Sequence, residues 1–341
     1  MADDITTVLH PEQQFDVSQT VVWSPLFQAT WDAMNLEFGG KPFKVDPPNE
    51  TMKLLDEFQW KPGEVMPETG WKVWSGEATE EFLGVVNREA AVIAGEERGP
   101  FELGAANPGT IACFGLLDRS VEFEKEFHEA KKQALQFGRE DQKEPVAFFG
   151  VRGELSGRYG KSVKVLSYAE KSFALEISCS GTNEAVVLYL PPEPMNFRMA
   201  CESVRKMRND FSEGKNPDAS VSLGKDDPYL HAGDDVRVPY VSLAKNEDFV
   251  SSLSGGRFYG KQGDPWMIVR ALQVTKFELF EKGAKVRVET SIGIDPFGGP
   301  PPPIPRTFIY NRPFFVFLWR SDSDWPYFGA WIADASALRK F

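Results

Sequence analysis

The sequence predicts an α+β fold in one domain spanning 1–341, and three observations carry that prediction. Strand-patterned segments outnumber helical ones and do not alternate with them in the regular order that builds a parallel sheet. The composition, 42% hydrophobic and 26% charged, is that of an ordinary globular chain. Near the C-terminus two very apolar runs, Pro313–Trp319 (PFFVFLW) and Tyr327–Ile332 (YFGAWI), flank the polar turn SDSDWP and read as a core hairpin covered on both faces. The polar stretch Asn209–Asp227 and the proline run Pro300–Pro303 lie between patterned segments, so they read as excursions from one domain.

From the N-terminus, Thr20–Trp23 reads as a short strand. Ser24 is a good N-cap, Pro25 suits the first helical position, and Gly39-Gly40 can end the helix. One stripe of that helix holds Phe27, Trp31, Met34 and Phe38, the next Leu26, Ala29 and Ala33, a pattern that predicts a helix surrounded by protein. Asn49–Phe58 and Glu80–Ala94 are further helices, and Thr110–Leu117 is a buried strand. Phe123–Phe137 has helical spacing at Phe123, Phe127, Ala130, Ala134 and Phe137. Val146–Val151, Ser162–Leu166, Phe173–Ser178 and Ala185–Leu190 read as strands, with Gly181–Asn183 turning between the last two.

A net charge of −12 with no basic stretch argues against a nucleic-acid partner. Cys113, Cys179 and Cys201 are too widely spaced for a disulfide framework or a zinc site. MADDITTVLHPEQQ lacks a basic start and an apolar core, and no apolar run approaches the roughly 18 residues of a membrane helix. The expectation is a soluble cytoplasmic chain with no membrane partner, or an extracellular one if a leader was removed. GRYGKS at Gly157–Ser162 lacks the first glycine of a phosphate loop, where Leu155 stands, and reads as a turn before a strand. His10, His128 and His231 are isolated, with His128 read as a solvated surface residue. Cys113 reads as a small core residue, and no G-x-S-x-G elbow is present. No catalytic residue, metal or cofactor is nominated, so the chain is expected not to be an enzyme.

The segment that stands out is FELFEKGAKVRVETSIGIDPFGGPPPPIPR, Phe277–Arg306. After Gly283, Ala284, Val286, Val288, Thr290, Ile292 and Ile294 point one way, and Lys285, Arg287, Glu289, Ser291 and Gly293 the other. At about 3.3 Å per residue this is a long strand pattern. Pro296, Gly298-Gly299 and the proline run then make an extended loop. The plain reading is a strand followed by a rigid surface loop. The sharper one is a segment able to be loop or strand, with Pro296-Phe297-Gly298 exposed.

An ordered series of segments resembles the serpins. WSPLFQATWDAMNLEFGG is similar to the start of their buried second helix, GTIACFGLLDRSVEFEKEF to the strand and helix at the edge of the main sheet, and ALEISCSGTNEAVVLYLPPEP to a pair of core strands. VRVPYVSLAKNEDFVSSL resembles a strand carrying a Pro-aromatic pair, and FELFEKGAKVRVET sits where the family carries Glu-x-Gly and its loop hinge. NRPFFVFLWRSDSDWPYFGAWIAD resembles the C-terminal hairpin. The resemblance implies three mostly antiparallel sheets with surrounding helices, a reduced N-terminal helix and no helix covering the main sheet. It also implies a reactive loop at 283–306, whose hinge is Glu281, Gly283, Ala284, Val286, Val288 and Thr290 and whose bait bond is Phe297–Gly298. Ser24 and Gln273 fall in the sheet-opening region, Gln273 where many members carry histidine, and Phe27 replaces a usual serine.

The implied function is suicide inhibition of a chymotrypsin-like protease, the loop inserting as an extra strand after cleavage. A monomer is expected, with a hazard of loop–sheet polymerisation. The hinge stretch AKVRVET departs from the family's run of small residues, which slows insertion. Two alternatives therefore stay open: a non-inhibitory relative serving as a binding scaffold with a slow or already inserted loop, and an unrelated α+β enzyme.

Overall fold

The longest apolar strands pair with one another and set the architecture. The computed structural model describes residues 5–40, 44–58, 60–96, 99, 101–103, 110–139, 142–215, 228–253, 257–259, 265–266, 268, 271–284 and 305–341. Phe314–Arg320 pairs antiparallel with Phe328–Ile332, the hairpin expected from the sequence. It lies inside a seven-stranded sheet whose spatial order is Ile5–Val8, Thr20–Trp23, Phe328–Ile332, Phe314–Arg320, Glu184–Leu190, Ser172–Ser178 and Val163–Ala169. Only the first pair is parallel. Every residue of Glu184–Leu190 is buried, as a strand covered on both faces requires.

One of those faces is covered by the helix Phe197–Ser212, through Phe197, Ala200, Cys201 and Val204. The sequence reading passed over this helix. Its signals are the i, i+3, i+4, i+7 spacing of those four residues and Asn196, whose side chain accepts from the Met199 N–H at 2.9 Å. A four-stranded sheet follows the order Thr307–Ile309, Asp235–Pro239, Phe148–Arg152 and His128–Glu129.

Two antiparallel ribbons complete the frame: Trp71–Glu77 with Ile111–Leu117, and Val241–Asp248 with Leu272–Leu279. Among the described residues no backbone pairing joins Ile111–Leu117 to Leu272–Leu279. Behind the first ribbon runs the helix Leu26–Glu37, so close that a Cβ on Gly115 would lie 2.4 Å from Thr30 Oγ1. Gly39 and Gly40, at φ +80° and +97°, end that helix as expected, and the Gly40 N–H donates to Asn35 O at 2.8 Å. Its enclosure stops at the last turn, where Leu36 is 75% exposed.

The other face of the 71–117 ribbon carries the helix Glu80–Ala94, whose Val86 and Ala90 are buried with Trp74. This helix, expected from the sequence, comes from the connection between the two strands. Among residues 5–25 there is no helix, in line with a reduced N-terminal helix. No helix of the described residues is long and apolar enough to cross a membrane.

Phe123–Phe137 is not a helix. The chain forms short strands at Val121–Glu122, His128–Glu129 and Leu135–Arg139, the last pairing with Gln142–Val146. Its backbone donors are taken by tertiary partners: Phe123 N–H by Lys282 O at 2.9 Å, Phe127 N–H by Glu281 O at 2.7 Å and Ala130 N–H by Phe148 O at 3.1 Å. The apolar spacing serves an aromatic cluster instead, with Phe127 stacked on Tyr159 at 4.7 Å and edge-on to Phe123 at 5.6 Å. GRYGKS forms short 3₁₀ turns before the strand at Val163, as expected.

Candidate functional site: a loop held at both ends

Residues 285–304 contain Val286, Val288, Thr290 and the bait pair Phe297–Gly298, and lie outside the described residues. The two ends of the segment are described, and both are anchored.

At the first end the Leu272–Leu279 strand finishes in a tight reversal. Phe280 N–H donates to Gly283 O at 3.0 Å and Gly283 N–H returns to Phe280 O at 3.1 Å, leaving Glu281 and Lys282 at the corner. Gly283 and Ala284 then pair antiparallel with Glu122 and Val121. Gly283 sits at φ +124°, and a Cβ there would lie 2.4 Å from Val121 O and 2.8 Å from Glu122 Cα. The carbonyls of Glu281 and Lys282 hold the 123–127 segment, so the reversal is docked on both sides. The structure thus brings three of the expected hinge residues, Glu281, Gly283 and Ala284, to one turn. The apolar strand pattern after Gly283 begins there as a strand.

At the far end Arg306, 2% exposed, forms a buried ion pair with Asp234, which is fully buried. Asp234 Oδ1 accepts from Arg306 N at 2.9 Å and Oδ2 from Arg306 Nη2 at 2.8 Å; Oδ2 also takes the His231 N–H at 3.1 Å. A second bond from Arg306 Nη2 goes to Tyr229 O at 2.6 Å. These charge-assisted bonds fix the start of the Thr307–Ile309 strand. Sequence reasoning passed over Asp234 and read His231 as isolated, because residues some seventy positions from Arg306 carry no local signal of pairing.

Ser24 and Gln273 are both buried, and the structure gives them separate partners. Ser24 Oγ donates to Tyr327 O at 3.0 Å and accepts from Leu26 N–H at 3.2 Å, so it caps the helix and ties it to the C-terminal hairpin. Gln273 Nε2 donates to Thr275 Oγ1 at 3.2 Å, while its Oε1 is buried without a partner.

A further buried ion pair, also absent from the sequence reading, braces this region. Arg119 grips the Glu184 carboxylate with Nη2–Oε1 2.7 Å and Nε–Oε2 3.0 Å, and Tyr327 OH donates to Glu184 Oε2 at 2.8 Å. Burial, then the neighbouring Glu184 charge, pushes the Tyr327 hydroxyl well above its ordinary pKa, so it stays a donor. Burial likewise pushes the Cys113 and Cys179 thiols up to about 12, so both stay protonated at neutral pH. His128 is exposed, as expected, whereas His10 is 2% exposed, and burial with Arg198 nearby lowers its pKa to about 4.

No protein-family model and no curated protein matches this sequence. Solved structures do. Tengpin, a thermophilic serpin in its native state, aligns with TM-score 0.55 and 12% identity over 94% of this chain and 90% of that one. A tumour-suppressing serpin aligns with TM-score 0.53 and 12% identity over 92% of each chain. Human glycosylated kallistatin aligns with TM-score 0.51 and 11% identity over 93% of this chain and 92% of that one. The fold is therefore the serpin fold, in a sequence far diverged from those three.

Proposed function

We propose that this chain inhibits a chymotrypsin-like protease by trapping it, with Phe297–Gly298 as the bait bond and the 283–306 segment as the inserting loop. The observation that carries this reading is the register at the hinge. With Gly283 opposite Glu122 and Ala284 opposite Val121, continued pairing sets Val288 opposite Leu117, Thr290 opposite Gly115 and Ile294 opposite Ile111. That is the length of the Ile111–Leu117 strand, which has a single strand partner among the described residues.

Directly opposed residues of an antiparallel pair point to the same face. Gly115 faces the Leu26–Glu37 helix, so Val288, Thr290, Ile292 and Ile294 would be laid against that helix. Arg287, Glu289 and Ser291 would take the opposite face. The period-two pattern after Gly283 thus matches a strand position in side-chain chemistry as well as in length.

The chemistry asked of the loop is modest. An aromatic bait suits the apolar pocket of such a protease, whose serine attacks the Phe297 carbonyl and releases the chain from Gly298 onward. The freed segment, tethered at Gly283, zips along Ile111–Leu117 and carries the acyl-linked protease with it. Inhibition results if insertion outruns hydrolysis of the acyl bond.

A second reading is favoured by the loop's own side chains. Val286 and Val288 are stiff at χ1, and Lys285, Arg287 and Glu289 are bulky to thread. A slow loop would leave a non-inhibitory scaffold that the protease merely cuts.

Limited digestion with a chymotrypsin-like enzyme separates these readings. Roughly ten new ladder hydrogen bonds at about 1 kcal/mol each, with about 2 °C per kcal/mol, give an expected Tm rise of about 20 °C after one cut near Phe297. A complex that survives SDS supports inhibition. The Tm rise without a complex favours the scaffold, and a cut with no rise overturns insertion altogether.

A further inference from the structure

The hinge also meets residues that loop insertion itself does not require. Isolated antiparallel bridges join Leu338 to Val241 and Lys340 to Val146, bringing the C-terminal residues back beside the hinge. Ala147 N–H donates to Arg339 O at 2.8 Å, and Arg339 N–H donates to Tyr240 O at 3.1 Å. This lays the Arg339 guanidinium on the face of Tyr240, 3.5 Å from the ring centroid, with Nη2 donating to Glu129 Oε1 at 3.0 Å.

Tyr240 is 3% exposed and stands between the Asp235–Pro239 and Val241–Asp248 strands. Its hydroxyl is buried, with the Glu281 carboxylate as its long hydrogen-bond acceptor. Burial, then the Glu281 carboxylate, raises its pKa; Glu129 adds to the rise and Arg339 opposes it. Val241, the next residue, pairs with Leu279 on one side and bridges Leu338 on the other, so Tyr240 and Arg339 stand in line with Phe280 at the foot of the hinge corner. Beside it, Lys282 reaches Glu126 at 3.9 Å.

We propose that Arg339 and Tyr240 are positioning residues that clasp the Glu281–Lys282 turn and keep Gly283–Ala284 zipped to Val121–Glu122. The proposal rests on the insertion reading for its consequence, since that two-residue pairing is the nucleus from which an inserted strand would grow. Without Arg339, the negative charge that Glu281 and Glu129 set around the buried Tyr240 hydroxyl is less balanced, and the turn loosens. A planar guanidinium is needed for the stack, so lysine is an incomplete substitute.

Hydrogen exchange of the 280–284 amides in the uncleaved full chain tests the clasp. Arg339→Ala is expected to speed exchange at Phe280 and Gly283 about tenfold, Arg339→Lys less, with exchange in the seven-stranded sheet unchanged. In the Glu281→Gln background, where the hinge charge is gone, Arg339→Ala is expected to have at most about a twofold effect. Unchanged exchange in Arg339→Ala, or an effect equal in both backgrounds, overturns the clasp. Should Arg339→Ala fail to fold, Tyr240→Phe in both backgrounds gives the same comparison. After cleavage, Arg339→Ala is also expected to slow the Tm rise at least fivefold. If the wild type shows no such rise, the insertion reading fails while the exchange comparison still decides the clasp.

Discussion

Gly283 concentrates two demands in one residue. Its φ of +124° lies where L side chains are strained, and the Val121 carbonyl occupies the place of a Cβ at 2.4 Å. Gly283→Ala is therefore expected to unzip the hinge pair at a cost of about 1–3 kcal/mol. The damage is local, because Gly283–Ala284 is only a two-residue strand. Tm of the uncleaved protein should fall by a few degrees, while post-cleavage stabilisation slows at least about tenfold, the rate equivalent of about 1.4 kcal/mol. A normal rate of stabilisation would show that pairing at 283–284 is no part of insertion. Arg306 at the other anchor behaves differently. Removing one partner of a buried pair leaves the other charge stranded, at about 3–5 kcal/mol. Arg306→Ala would therefore act on the whole fold and report nothing specific about the loop.

At the scale of elements, the alternation after Gly283 can be tested through Val286. Continued register sets Val286 opposite Arg119, on the face shared with Val288 and Thr290. Val286→Glu puts a second carboxylate beside Arg119, whose guanidinium Glu184 already holds, so burying it costs several kcal/mol, on the order of 2–7. Under the trap reading the uncleaved variant melts like the wild type and fails only in the rise after cleavage; an early loss of stability would mean that Val286 is already packed. The elements legible in the sequence were those whose partners are local. The C-terminal hairpin announced itself by two apolar runs around a polar turn, and the Leu26–Glu37 helix by Ser24, Pro25 and its glycine stop. Phe123–Phe137 misled because its 3.6-residue spacing arises from rings gathered around Tyr159, while its amides answer to Glu281 and Lys282, far along the chain. The site divides in the same way. Glu281 and Gly283 were legible from a short motif, whereas Asp234, Glu184 and Tyr240 became visible only once distant strands met.

For the molecule as a whole, the issue is whether one chain has two stable arrangements separated by a single strand position. The 71–117 and 241–279 ribbons are joined through the short Val121–Glu122 and Gly283–Ala284 strands, and each is backed by its own packing. Such a frame favours a switch with a defined register, because a slip of one residue would turn the charged side chains of the loop toward the Leu26–Glu37 helix. The register can be read chemically, since Ile292 would stand opposite Cys113. Ile292→Cys should form a disulfide with Cys113 only after cleavage at the bait, as opposed residues in antiparallel pairs have the Cα separation a disulfide needs, about 5.5 Å. The Cys113 thiol is held near pKa 12 and stays almost wholly protonated even at mildly alkaline pH, so the cross-link forms slowly and needs an added oxidant in excess. Ser291→Cys, pointing to the other face, is the control and should stay reduced. Equal cross-linking of both variants, or cross-linking of Ile292→Cys before any cut, would contradict a loop that waits outside and inserts in this register.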